Sequence, residues 1–163
     1  LKYKPKNIIQ FLQKKFETAS YNKISKLSLH SELISNHVTL IAKDKRIRDI
    51  VNKVQMRIIR SKNRICVEGR DIASKILSKN PKYDVAFYFK CSLDVAAYRR
   101  WLDIKKKVPL REVKKSLKMR TALDKNRKNS PLVKVKKAIL IRTDKLSKKQ
   151  VLANMSKYID KLN

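Results

Sequence analysis

Apolar side chains recur along this chain at two spacings, and the switch between them outlines the fold. Pro5 followed by Asn7, Ile8, Ile9, Phe11 and Leu12 predicts a short amphipathic helix. Residues 17–30, polar with β-branched members, predict a small irregular or stranded insert. Leu33, Ile34, Val38 and Ile41 return to helical spacing after Ser31, and Ile47, Ile50, Val51, Val54 and Ile58 do so again after Asp44, a residue suited to an N-cap. The pattern then tightens. Arg64 to Glu68 is a short apolar run, Tyr83 to Phe89 a longer one apolar on both faces, and Ala138 to Ile141 a third, all reading as buried strands. Between and after them lie three more helices. One follows Ser92, a second is opened by Pro109 and runs to about Asn126, and a third starts at Ser147, which has the spacing of a capping box with Gln150. Helices alternating with buried strands imply an α/β fold, a parallel sheet flanked by helices.

Glycine is almost absent from this pattern. The single one, Gly69, stands in N-R-I-C-V-E-G-R-D-I, where the first strand-like run ends. In parallel α/β sheets the ligand crevice lies at the carboxyl ends of strands. Glycine allows a positive φ or a close backbone approach, and Arg70 and Asp71 beside it offer a phosphate-type donor fork and an acceptor. A plain strand-exit turn accounts for the same three residues. Arg120, Asp124 and Arg127 in K-M-R-T-A-L-D-K-N-R fall at i, i+4 and i+7 and so share one helix face, with the aspartate between the two arginines. Either they form a site or they form an ordinary surface ion pair. Arg46 and Arg48 in T-L-I-A-K-D-K-R-I-R begin a basic helix that is either functional or simply solvated.

Composition narrows the class. The chain has 163 residues, 42% of them hydrophobic, with 43 Lys+Arg against 13 Asp+Glu for a formal charge of +30. That length fits one domain with a real core, and the apolar content excludes a disordered polyelectrolyte. The charge points to a polyanion partner, nucleic acid or smaller phosphorylated ligands, or to the lysine, asparagine and isoleucine bias of an AT-rich coding sequence. A basic RNA-binding or ribosome-associated protein is therefore one reading, although no RNP-type motif or interleaved aromatic pattern supports it. Cys66 and Cys91 form no C-x-x-C pair and read as core thiols of a reducing cytoplasm; His30 and His37 lack neighbouring ligand types, so no metal site is expected. No run approaches the ~18 apolar residues of a membrane span, so a cytoplasmic protein without a membrane partner is expected.

The order E-G-R-D, an apolar strand, A-Y-R-R-W-L, R-x-x-x-D-x-N-R-x-x-S-P-L and A-I-L-I-x-T-x-x-L-S, spread from about Leu33 to Asp160, resembles bacterial cytidylate kinase, a P-loop nucleoside monophosphate kinase family. The resemblance implies phosphoryl transfer from ATP, with Mg²⁺, to CMP or dCMP by a monomer. It implies that Arg70 and Arg127 hold the CMP phosphate, that Arg120 and Asp124 are lid residues reaching the nucleotide phosphate and the ribose, and that Arg120 and Arg127 are the catalytic arginines. Asp71 would read the cytosine edge, helped by Thr39, where the family usually has serine, and by Arg48. On this likeness residues 1–62 are the remainder of a mostly helical CMP-binding region, and 63–163 the C-terminal part of the kinase core with a lid at about 105–131.

The family's P-loop, G-x-x-x-x-G-K-[ST], needs glycines that these 163 residues do not contain. The first strand and P-loop are expected to precede Leu1, which is not a methionine and already stands at the approach to a helix. ATP binding is accordingly not assigned to any residue here, and this chain alone is expected to be inactive. Leu123 stands where the lid usually has a charge, Arg142 replaces the usual aspartate of the last strand, and the substrate-domain insert is shortened; these departures bear on ATP handling and lid closure.

Overall fold

A computed structural model describes residues 6–27, 34, 38, 41 and 44–162. The chain divides into two compact units, Leu1–Glu68 and Gly69–Asn163.

In the first unit Asn7 ends the N-terminal approach by accepting the backbone N–H groups of Ile9 and Gln10, both at 3.1 Å, and helix α1 runs over Ile8–Glu17. The insert expected to be irregular or stranded instead contains a short helix, α2, Tyr21–Ser25, because Ser20 caps it through Lys23 N–H. Ile34, Val38 and Ile41 are helical as their spacing predicts; Leu33, Thr39, His30 and His37 lie outside the described residues. Asp44 caps helix α3, Lys45–Arg60, accepting Arg46 N–H at 2.8 Å, and the Arg46 side chain hydrogen-bonded to it holds its carboxyl below the usual carboxylate range. α3 buries Ile47, Val54 and Ile59. Arg57 reaches from α3 to the end of α1, donating to the carbonyls of Glu17 at 2.7 Å, Phe16 at 2.9 Å and Ala19 at 2.8 Å. These are carbonyls that a helix terminus leaves without an internal partner, so one guanidinium both caps α1 and ties it to α3.

The second unit carries the sheet. After a π-helical turn at Ile72–Ile76, strand β1 spans Phe87–Lys90, helices α4 and α5 span Leu93–Asp103 and Leu110–Asn126, strand β2 spans Ile139–Arg142, and helix α6 spans Lys148–Ile159 before a 3-10 turn at Asp160–Leu162. β1 and β2 pair in parallel, Phe87 opposite Ile139 and Lys90 opposite Arg142. The fold is thus helix-rich α/β with a small parallel sheet. Its apolar core is Ile76, Ala86, Ala97, Val113, Ala138 and Ile141.

Two expectations are corrected here. Arg64–Glu68 is not a strand: it pairs with no described strand and is largely exposed, including Cys66, which is therefore no core thiol. An apolar run becomes a strand only where a ladder satisfies its backbone. The Tyr83–Phe89 run is strand only from Phe87 onward.

The caps behave as the sequence indicates. Ser92 Oγ accepts Val95 N–H, and Ser147 and Gln150 exchange both bonds of a capping box. The carboxyl ends of the strands are tied down by Asp144, which accepts Ser92 N–H at 2.7 Å, and by Arg99, which donates to the carbonyls of Thr143 and Leu146. The Ser92 N–H holds the Asp144 carboxyl below its usual range. α4 and α5 are joined by the Lys114–Asp94 ion pair and, across their connection, by Trp101 Nε1 donating to Val108 O at 3.0 Å. No helix among the described residues is long and apolar enough to cross a membrane.

Candidate functional site

Gly69 does not use the conformational freedom expected of it: its φ is not positive. Its requirement is space. A Cβ built there would lie 2.7 Å from Ile72 Cγ1 and 2.9 Å from Ile72 Cδ1, so the close approach is to the chain's own isoleucine, three residues on. Gly69→Ala is expected to cost about 1–3 kcal/mol by overpacking. Urea titration of Gly69→Ala with and without Ile72→Ala checks this: the second change should recover most of what the first loses, and independent, additive losses would refute the steric account.

With glycine admitting Ile72, the chain turns directly after Asp71, whose carbonyl accepts Lys75 N–H at 2.8 Å to open the π-helical turn. Asp71 is thereby placed against the far end of α5, and it is one of two buried acidic residues in the described structure, each 9% exposed; the other is Asp124.

Asp124 lies in the last turn of α5, against the negative end of the helix dipole, where a carboxylate needs cationic neighbours. It has two. Arg70 Nε lies 3.4 Å from Asp124 Oδ2, and Arg127 Nη1 lies 3.5 Å from Asp124 Oδ1. The expected single helix face through Arg120, Asp124 and Arg127 does not form. The helix stops at Asn126, and Arg127 is extended, with φ −68° and ψ 137°. Leaving the helix is what lets Arg127 fold back: its Nε donates to the carbonyl of Ser130, and its Nη2 comes within 4.0 Å of Asp71 Oδ1. Leu132 N–H closes the same loop on Asp124 O at 2.8 Å.

Four of the residues singled out from sequence, Arg70, Asp71, Asp124 and Arg127, are thus brought into one cluster. Arg120 is not part of it; exposed on α5, it makes no ion pair with Asp124 among the described residues. Arg48 is half-buried in the first turn of α3, in the other unit, and Thr39 is outside the described residues. Ser130 was missed. Its contribution is a backbone carbonyl presented at φ 55°, and a residue type gives no signal for that.

The cluster has a chemical bias. Among the described residues Asp124 Oδ2 and Arg127 Nη2 are buried without a hydrogen-bond partner, so the ion pairs attract at 3.4–4.0 Å without directed bonds. Buried polar atoms are rarely left so. A guanidinium edge in that condition suits a bidentate oxyanion such as phosphate, and an unfilled carboxylate oxygen suits a hydroxyl or amine donor. It does not suit Mg²⁺. Both carboxylates already face guanidinium groups, and among the described residues no three His, Cys, Asp or Glu side chains converge as a metal site would require.

A geometry that prepares arginines for phosphate and carboxylates for donors agrees with what the chain is similar to. The cytidylate kinase family model matches residues 4–161. Proteins named cytidylate kinase from Caldanaerobacter subterraneus subsp. tengcongensis, Rickettsia akari and Clostridium botulinum (strain Okra) are 33%, 30% and 32% identical, over 82%, 83% and 79% of this chain and 59%, 62% and 59% of their own lengths. The chain thus spans about three-fifths of the curated relatives it matches. With the G-R-D and lid-like segments folded against one another inside a region matched almost end to end, the chain belongs to the cytidylate kinase family.

Proposed function

We propose that these residues form the CMP-binding part of a kinase that moves the γ-phosphoryl group of ATP to CMP or dCMP. The observation that supports this best is the guanidinium of Arg127, set between two carboxylates with its buried Nη2 lacking a hydrogen-bond acceptor among the described residues. In this reading the CMP phosphate enters between Arg70 and Arg127 and takes over the cationic edges that Asp124 holds in its absence. Asp124, released from them, is free to accept from the ribose, and Asp71 accepts the exocyclic amine of cytosine. Thr39 and Arg48, in the Leu1–Glu68 unit, are assigned to reading the base on the family likeness alone, and Arg120, exposed and without an ion-pair partner among the described residues, is the lid arginine that meets the phosphates during transfer.

Phosphoryl transfer asks a protein for position and charge neutralisation more than for covalent chemistry, and always-charged planar forks supply both. Mg²⁺, bound with ATP, would neutralise charge on the transferred group; none of the residues described here is assigned to hold it. The glycine-rich cradle for the ATP phosphates is not in these 163 residues.

Calorimetric titration with CMP, cytidine and UMP, run beside a coupled kinase assay, tests the reading. CMP should bind at least about tenfold more tightly than cytidine, one charge-assisted contact being worth about 1.5–3 kcal/mol, and should raise the melting temperature through ligand linkage. The isolated chain should show no turnover near the ~1–100 s⁻¹ usual for kinases. If CMP does not protect the fold while an RNA oligonucleotide binds with a steep salt dependence, the basic RNA-binding reading replaces this one.

A further inference from the structure

We infer that Ser130 is the positioning residue for Arg127, acting through its backbone carbonyl, and that it thereby sets how strongly the site prefers a phosphate-bearing nucleotide over the bare nucleoside. The inference rests on the CMP reading for its ligand and on independent geometry for its mechanism.

A guanidinium is a rigid plane with three donor positions, so fixing one of them fixes where the other two point. Arg127 spends Nε on Ser130 O, which leaves Nη1 facing Asp124 at 3.5 Å and Nη2 facing Asp71 at 4.0 Å. Without that bond the side-chain torsions could re-aim the plane and turn Nε toward Asp124. The edge carrying two N–H groups would then no longer face the gap between the carboxylates, where an oxyanion would be gripped bidentately.

The backbone is shaped for this contact. Ser130 has φ 55°, a left-handed conformation that L side chains seldom adopt and that surroundings must enforce. Here the loop is closed from both ends, by Arg127 on Ser130 O and by Leu132 N–H on Asp124 O. The Ser130 hydroxyl takes part in no hydrogen bond of the described structure, so the side chain is not what does the positioning. The requirement is for a residue that tolerates the left-handed region, and that predicts which substitutions matter.

Ser130→Gly adopts φ 55° freely and should keep the site; Ser130→Val, β-branched, should not. In titrations with CMP and cytidine, Ser130→Val should lower the CMP-to-cytidine affinity ratio about tenfold with cytidine binding unchanged, and Ser130→Gly should hold the ratio within about twofold. If CMP and cytidine affinities fall together in Ser130→Val, the loop is only structural and the inference is overturned. The Arg127 Nε–H resonance in a ¹H–¹⁵N spectrum gives a second measurement that needs neither ligand nor mutant. It should be shielded from solvent exchange in the unliganded wild type, and rapid exchange there overturns the inference even if Ser130→Val does not fold. A wild type that binds no CMP yet shows a protected Nε–H would overturn the substrate reading and leave the positioning role standing.

Discussion

Arg127→Met should be the most damaging single change in the Gly69–Asn163 unit, lowering its stability by about 3 kcal/mol and abolishing preference for CMP over cytidine. Methionine fills a similar volume, so packing is nearly kept and the loss is electrostatic. Asp71 and Asp124 are each 9% exposed, and Arg127 is the one residue ion-paired to both among the described residues. Removing one partner of a buried charge cluster strands the others in a medium that solvates them poorly, typically at about 3–5 kcal/mol. The lower end applies because Arg70 still neutralises Asp124, at 3.4 Å. Arg127→Lys separates charge from geometry. A lysine keeps the cation but offers no Nε to Ser130 and no planar fork, so it should recover much of the stability and little of the phosphate preference. Urea unfolding and nucleotide titration on both variants check this. Equal stability of Arg127→Met and wild type would mean that the two ion pairs of Arg127 contribute nothing measurable, as surface pairs often do.

The same cluster shows what a linear reading can and cannot reach. Asp44, Ser92, Pro109 and the Ser147 with Gln150 box mark helix starts through local chemistry, and each stands where a helix begins. Such signals are legible because cap and helix are neighbours in sequence. Arg64–Glu68 is the opposite case: its composition is that of a strand, but strand formation depends on a partner elsewhere, and no composition reports whether one is present. Arg120 and Arg127 fail the helical projection for a related reason. A face can be projected only as far as the helix runs, and α5 ends one residue before Arg127. Residue types alone leave G-R-D and R-x-x-x-D-x-N-R open between a site and a plain turn or surface ion pair, and only the likeness to the family joins them. The wiring of the cluster is legible from neither, because it depends on a carbonyl at φ 55° and on a glycine chosen for the room it leaves Ile72.

Asp71→Asn should change which nucleotide binds. Cytosine presents an amine donor where uracil presents a carbonyl acceptor, and a carboxylate accepts only, so wild type should favour CMP over UMP by about 100-fold, within the ~1–3 kcal/mol that one well-formed base contact contributes. At 4.0 Å the Arg127 Nη2 attracts Asp71 Oδ1 without forming a hydrogen bond. Asparagine is nearly isosteric and can turn either its oxygen or its NH₂ toward the ligand, so the variant should bind CMP somewhat more weakly and UMP more tightly, bringing the two within a few-fold. The site would then lose the penalty by which it rejects uracil, an acceptor facing an acceptor without a proton between them. Competition titration of CMP against UMP on both proteins measures the ratio directly. Should the ratio stay unchanged while overall affinity falls, Asp71 serves the arginines alone and the base is read by another group; should it collapse at nearly constant phosphate preference, Asp71 reads the base and Arg127 reads the phosphate, two functions held by neighbouring side chains of one cluster.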